Sequence, residues 1–299
     1  MEKNELFQIT LHTTGVGLCN KYFRIFGACE VALEHKYQII EPYFGWTKKV
    51  LMGEIYDIPF FNKIIKEEMN IDYDLIKILT KDDDLSKIPQ LDRNYLRTGD
   101  DILRNNRTLN KMGRKCMNVV VMKALKLIDK YDYLVKSYVK DNDINDRVSF
   151  HIRIESDWHS YSRSKRGVPN EMFLVNQDKI IEMFLQSSIK QDNVFFTTGQ
   201  TQESISKSFS KNNLKSCWFF DNNLEYEINA SINFFICCHS KHFVGLCRST
   251  FSNLISLNRF LMNKDSSFIY NLDNKLLKRV DIGLHCDPTR VIKDIVQIK

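Results

Sequence analysis

The chain has 299 residues, 43% hydrophobic and 27% charged, a globular balance that excludes a long disordered or collagenous protein. Its 43 Lys+Arg against 37 Asp+Glu leave a net charge of +6, interleaved with acidic residues rather than gathered into a nucleic-acid-binding stripe. No apolar run approaches the roughly 18 residues that span a bilayer, the N-terminus lacks a signal-peptide pattern, and eight scattered Cys without CxxC spacing read as reduced thiols of a cytoplasmic protein.

At about 150 residues per domain the length suggests two domains. Residues 6–11 read as a buried strand. A helix is expected over 20–35, where Phe23, Phe26, Ala28, Val31 and Ala32 recur near helical period. A strand over 37–40, ended by Pro42, completes a βαβ unit. From 48 to 109 the pattern gives helices and loops without an order, with exposed turns at Asp82–Asp84 and Asn105–Arg107. Residues 117–139 carry Val120, Ala124, Leu127, Ile128, Tyr131, Leu134 and Val135 on one helical face. The polar stretch 140–147 marks the expected boundary between domains 1–145 and 146–299.

The second half alternates regularly. Strands are expected at 148–152, 194–197, 216–220, 242–246 and 268–270, and helices at 177–188, 203–211, 227–240 and 251–261. Alternation of this kind gives parallel βαβ units, so the fold class is α/β with a ligand cleft at the carboxyl ends of the strands.

Four loops at strand ends carry unusual residues. Thr14 to Asn20 holds Gly15 and Gly17 ahead of a helix, which suits either a tight turn or an anion. His151, Arg153 and Glu155 alternate along the end of a strand, followed by Asp157 and Trp158. They form either a structural salt-bridge network or a ligand-facing cluster. A metal there is disfavoured, because Arg153 would set a cation beside it. Thr197 and Thr198 with Gly199 suit a ribose contact or a helix cap. Ser249 and Thr250, followed by Phe251 and Ser252, open a helix whose N-terminal N–H groups suit a phosphate.

Three peptides carry a family resemblance: GVGLCNKYFRIFGACEVALEHKYQIIEP at 15–42, HIRIESDW at 151–158 and FVGLCRSTFSNLI at 243–255. They resemble, in the same order, the signature regions of GDP-fucose protein O-fucosyltransferases and of the wider fucosyltransferase superfamily. Gly17 and Asn20 match the family's Gly-x-x-Asn loop. The resemblance implies a GT-B fold, two Rossmann-like domains with parallel sheets facing a cleft, and no metal or other cofactor. The N-terminal domain would lie on the acceptor side, and the C-terminal one would bind the nucleotide sugar.

It further implies that Arg153 holds the donor diphosphate and that Ser249 and Thr250 touch phosphate. Gly17, Asn20, His151, Thr198, Phe251 and Ser252 complete the expected donor-binding set. Growing charge on a leaving diphosphate can be met by an Arg fork and helix-terminal N–H groups instead of a metal. One departure is Gly199, where the family often has an acidic residue.

The expected function is therefore a metal-independent inverting glycosyltransferase, with GDP-fucose as the first-choice donor and a glycan or protein hydroxyl as acceptor. Asp157 and Glu155 are the base candidates by proximity. The alternatives are a same-fold transferase for a rhamnosyl or other hexosyl nucleotide, or a non-catalytic nucleotide- or glycan-binding module. Neither nucleic acid nor a membrane span is expected. The absence of a leader and of disulfide spacing points to a cytoplasm or a viral factory as the setting. The basic stretch 160–170 is expected to cover donor or acceptor.

Overall fold

The computed structural model describes residues 5–11, 17–44, 50–98, 117–155, 158, 174–199, 201–247, 249–264, 266–279 and 295–297. Asp157, the Asn105–Arg107 turn and the 160–170 stretch lie outside these residues. The chain divides into two compact units, Met1–Leu134 with Asn222–Ser231, and Val135–Asp221 with Ile232–Lys299. Position 145/146 thus falls inside the second unit.

The first unit is built on a parallel sheet ordered β1 (Leu6–Phe7), β2 (Gln38–Ile40), β3 (Ile76–Lys77). Helix Leu18–His35 connects the first two strands, with Tyr22, Phe23, Phe26, Ala28 and Ala32 buried. It stops at Lys36, in left-handed conformation at φ 57, whose N–H returns to Ala32 O. The expected βαβ unit is therefore present. Strand β1 is shorter than expected because the chain changes partner. From Gln8 onward it pairs with residues 89–91, through Gln8 N–H to Pro89 O at 2.9 Å and Leu91 N–H to Gln8 O at 2.8 Å.

The stretch that resisted ordering holds helix Ile58–Met69 and the edge strand β3. Asp57 caps that helix by accepting Phe60 N–H at 2.9 Å, and Pro59 occupies its first turn. In the Asp82–Asp84 turn Asp82 and Asp84 are exposed, and the half-buried Asp83 accepts from Thr80 N–H at 2.9 Å. The single helix expected over 117–139 is instead two, Met117–Ala124 and Asp129–Asp141. Backbone pairing breaks it: Asp57 N–H bonds Lys126 O at 2.9 Å and Ile128 N–H bonds Ile55 O at 3.0 Å. Local periodicity yields there to tertiary hydrogen bonds.

A buried polar network ties segment 222–231 into this unit. Lys21 Nζ pairs with Glu227 at 2.8 Å and donates to Phe44 O. Tyr22 bonds Tyr56, which reaches Ser231 at 2.7 Å, and Ser231 donates to Glu227 O at 2.7 Å. Burial and the neighbouring Tyr56 hold the Tyr22 phenol well above its usual range.

The second unit contains a sheet ordered β10-β9-β8-β7-β4-β5-β6. Its strands are β4 (Val148–His151), β5 (Asn193–Thr197), β6 (Lys215–Cys217), β7 (His242–Gly245), β8 (Ser267–Ile269), β9 (Leu277–Arg279) and β10 (Ile295–Gln297). Strands β6, β5, β4, β7 and β8 are parallel as expected, each overlapping its sequence-based position, with β6 ending at Cys217 and not at Phe220. An antiparallel edge, β8-β9-β10, was not anticipated; β9 follows a tight return after Tyr270.

Phe150, at the centre, is fully buried and meets Phe184 edge-on at 5.2 Å and Phe209 at 5.4 Å. Burying each such ring contributes about 1.5–3 kcal/mol. Arg259, also fully buried, donates to Ser240 O at 2.6 Å and to Cys237 O and Cys238 O at 3.3 Å, closing the end of helix Tyr226–His239. Among the described residues no helix is long and apolar enough to cross a membrane.

The strand order reverses at β4. From it the chain proceeds to β5 and β6 on one side, then returns to β7 and β8 on the other. A switch point of this kind opens a crevice at the strand ends.

Candidate functional site

The sequence places two of its unusual loops at this switch point. Strand β4 ends at His151 and not at Ile152, so Arg153 and Glu155 leave the sheet and enter the loop. Tyr270, at the end of β8, holds this exit. Its hydroxyl donates to His151 O at 3.3 Å and accepts Arg153 N–H at 3.4 Å. Burial raises the Tyr270 phenol, keeping it a neutral donor.

His151 is buried, with Nδ1 2.7 Å from Ser252 Oγ and its ring 4.8 Å from that of Phe251. Burial, then the Arg153 charge, push its pKa down to about 3. The imidazole is therefore neutral at physiological pH. Ser252 also accepts Leu246 N–H at 3.0 Å, and a Cβ on Gly245 would stand 2.6 Å from Ser252 Oγ. Glycine at 245 is what lets the serine approach. Ser252 is thus turned inward, its oxygen in contact with Leu246 N–H and His151 Nδ1. Phe251 packs between His151 and Phe234, 5.7 Å away.

Ser249 is the N-cap of helix Thr250–Leu261, yet its side chain makes no capping hydrogen bond. The residue is buried, and Thr250 beside it is half-buried. The helix start therefore carries hydroxyls that capping does not consume.

Arg153 stacks over Trp158 with its guanidinium 5.3 Å from the ring centre, and Nη1 lies 2.8 Å from Glu155 Oε2. The other Glu155 oxygen, Oε1, accepts Gly199 N–H at 2.5 Å. Glu155, one of the two base candidates, therefore has one oxygen on a backbone N–H and the other against the Arg153 guanidinium. A Cβ on Gly199 would come within 2.7 Å of Oε1. The place where the resemblance leads one to expect an acidic side chain is occupied by a carboxylate from the neighbouring loop. Thr198, next to it, is half-buried.

Gly17 and Asn20 belong to the first unit. Gly17 begins helix Leu18–His35 in extended conformation, open space lies where its Cβ would be, and its carbonyl accepts Asn20 N–H at 3.0 Å. Tyr270 and the Gly199–Glu155 contact were missed by sequence reasoning. The signal for Tyr270 was available in the polar Tyr270-Asn271 pair that ends an apolar strand. Asn271 Oδ1 accepts Cys247 N–H at 2.9 Å and so ties the β7 and β8 ends together. Among the described residues no group of three or more His, Cys, Asp or Glu is arranged to hold a metal ion.

No family model matches the chain, and no curated protein does. Solved structures do. The apo form of POFUT1 matches with a TM-score of 0.63 at 11% identity, over 90% of this chain and 98% of that one. POFUT1 in complex with GDP-fucose matches with a TM-score of 0.58 at 11% identity, over 87% and 95%. The fucosyltransferase NodZ from Bradyrhizobium matches with a TM-score of 0.54 at 10% identity, over 92% and 98%. The architecture of this chain is that of these proteins, a fucosyltransferase-like GT-B fold.

Proposed function

We propose that the chain is a metal-independent, inverting glycosyltransferase that takes its sugar from a nucleoside diphosphate, with GDP-fucose as donor and a glycan or protein hydroxyl as acceptor. The observation that carries this reading is that His151 Nδ1, two residues before Arg153, stands 2.7 Å from Ser252 Oγ in the first turn of helix Thr250–Leu261, which puts the Arg153 loop and the uncapped, hydroxyl-bearing helix start at the same end of the sheet. That combination suits a diphosphate. The GDP-fucose complex of a protein with the same fold supports the choice of donor.

In this reading Arg153 receives the charge that develops as the sugar–phosphate bond breaks, and Ser249 and Thr250 hold the phosphates from the helix side. Neutral His151 fixes the strand end and offers hydrogen bonds without adding charge. Thr198 faces the ribose; Gly17 and Asn20 are assigned to the donor by the resemblance of their loop alone. Asp157 is the proposed base; its place in the reaction rests on sequence.

Calorimetry with GDP-, UDP- and dTDP-sugars, each with and without EDTA, tests the proposal. Selective binding of a GDP-sugar that survives chelation supports it, and turnover of that sugar separates an enzyme from a binding module. Selective binding of a dTDP- or UDP-sugar would move the reading to another donor. Loss of activity on chelation, restored by manganese, would remove metal independence.

A further inference from the structure

Two residues past the end of strand β5 stands Gly199, a residue with no side chain, and a carboxylate rests on it. Glu155 Oε1 accepts Gly199 N–H at 2.5 Å, and Oε2 faces Arg153 Nη1 at 2.8 Å. We infer that Glu155 is a positioning residue for Arg153 and that Gly199 is the cradle that lets it act; this rests on the reading of Arg153 as a diphosphate ligand.

The geometry divides the carboxylate between two tasks. Oε1 accepts the backbone N–H of Gly199, in the bend two residues after β5. Oε2, inaccessible to solvent, forms no hydrogen bond among the described residues and meets the guanidinium as an ion pair. The same guanidinium lies over Trp158. Arg153 is thus held at one edge by charge and on its face by an aromatic ring, although its side chain is still 24% exposed. A long side chain restrained before its ligand arrives loses less freedom on binding.

The cradle follows from distances. A methyl group at 199 would lie 2.7 Å from Oε1, 3.0 Å from Cγ and 3.2 Å from Cδ of Glu155. Such a group would drive the carboxylate off the Gly199 N–H and carry Oε2 away from Arg153. Gly199→Ala therefore acts on the diphosphate through two other residues.

The test compares affinities for GDP and GMP, measured by calorimetry beside the melting temperature of each variant. An Arg153 contact to the second phosphate makes the wild-type protein prefer GDP. Arg153→Ala and Glu155→Ala should each reduce that preference about tenfold, the scale of one charge-assisted contact. The double variant should lose no more than either single one. Gly199→Ala should reproduce the loss in the wild-type background and add nothing to Glu155→Ala. Glu155→Gln, close in shape and able to accept Gly199 N–H, provides a variant that stays folded and should also lose the preference. An unchanged GDP-over-GMP ratio with a lowered melting temperature would reduce Glu155 to a structural part. A raised ratio would make Glu155 a counter-charge that competes with the ligand, and would equally overturn the inference. Wild-type protein that binds neither nucleotide would overturn the functional reading itself.

Discussion

Ser252 Oγ stands 2.7 Å from His151 Nδ1 and takes Leu246 N–H at 3.0 Å. A serine hydroxyl has one proton to give and two lone pairs to accept with, so it can serve Leu246 N–H and the ring nitrogen together. One serine thereby couples the end of β4 to the loop after β7.

The depressed pKa of His151 predicts a pH dependence of stability. The folded value lies near 3, below the unfolded value of about 6.5, so the unfolded chain takes up the proton first. This contribution is fully present above about pH 6.5 and is lost as pH falls towards about 3. Within that window the unfolding equilibrium should shift by up to about tenfold per pH unit. Denaturant midpoints of wild type and His151→Gln, measured across pH 3–7, isolate it; parallel curves would refute it.

Replacing Ser252 by Ala removes the partner of Leu246 N–H in a buried setting. The expected loss is about 1–3 kcal/mol of stability. Gly245→Ala, which brings a methyl group within 2.6 Å of Ser252 Oγ and 2.8 Å of Phe243, should cost about 1–3 kcal/mol through overpacking. Chemical denaturation reads both.

Ser249 makes no capping bond, so Ser249→Ala should cost less than the typical 0.5–2 kcal/mol of a lost cap. The double change Ser249→Ala, Thr250→Ala should instead weaken nucleoside diphosphate binding and spare the nucleoside. Equal weakening of both ligands would place this helix start away from the phosphates.

Arg153→Ala and Arg153→Lys should both lower kcat by about 10²–10³, because a point charge does not replace a planar fork at a developing anion. The melting temperature should move little beside that. A folded Arg153→Ala protein with near-normal turnover would refute the proposed role.

The parallel strands of the second unit were legible because both their faces are buried, as at the adjacent Phe195 and Phe196, and leave plain apolar runs. Helix Leu18–His35 was legible from its period. The break at 125–128 was not, since it depends on Ile55 and Asp57 far away in sequence. At the candidate site, the alternation of His151, Arg153 and Glu155 showed only that they share a side of the chain. That Glu155 meets Gly199, 44 residues on, is a consequence of β4 pairing β5 and has no local signature.

The Lys21–Glu227 pair has a bearing on how the protein is made. The two residues are 206 positions apart, and Lys21 has its buried counter-ion only after most of the chain has left the ribosome. Strand β4 likewise waits about as long as it takes to make 94 further residues for β7, its second neighbour. Until then Val148 and Phe150 form an open apolar edge, and the first unit carries an unneutralised ammonium group in its interior. Neither unit can finish early and independently, so nascent chains pass through a long sticky stage in which a chaperone has something to hold.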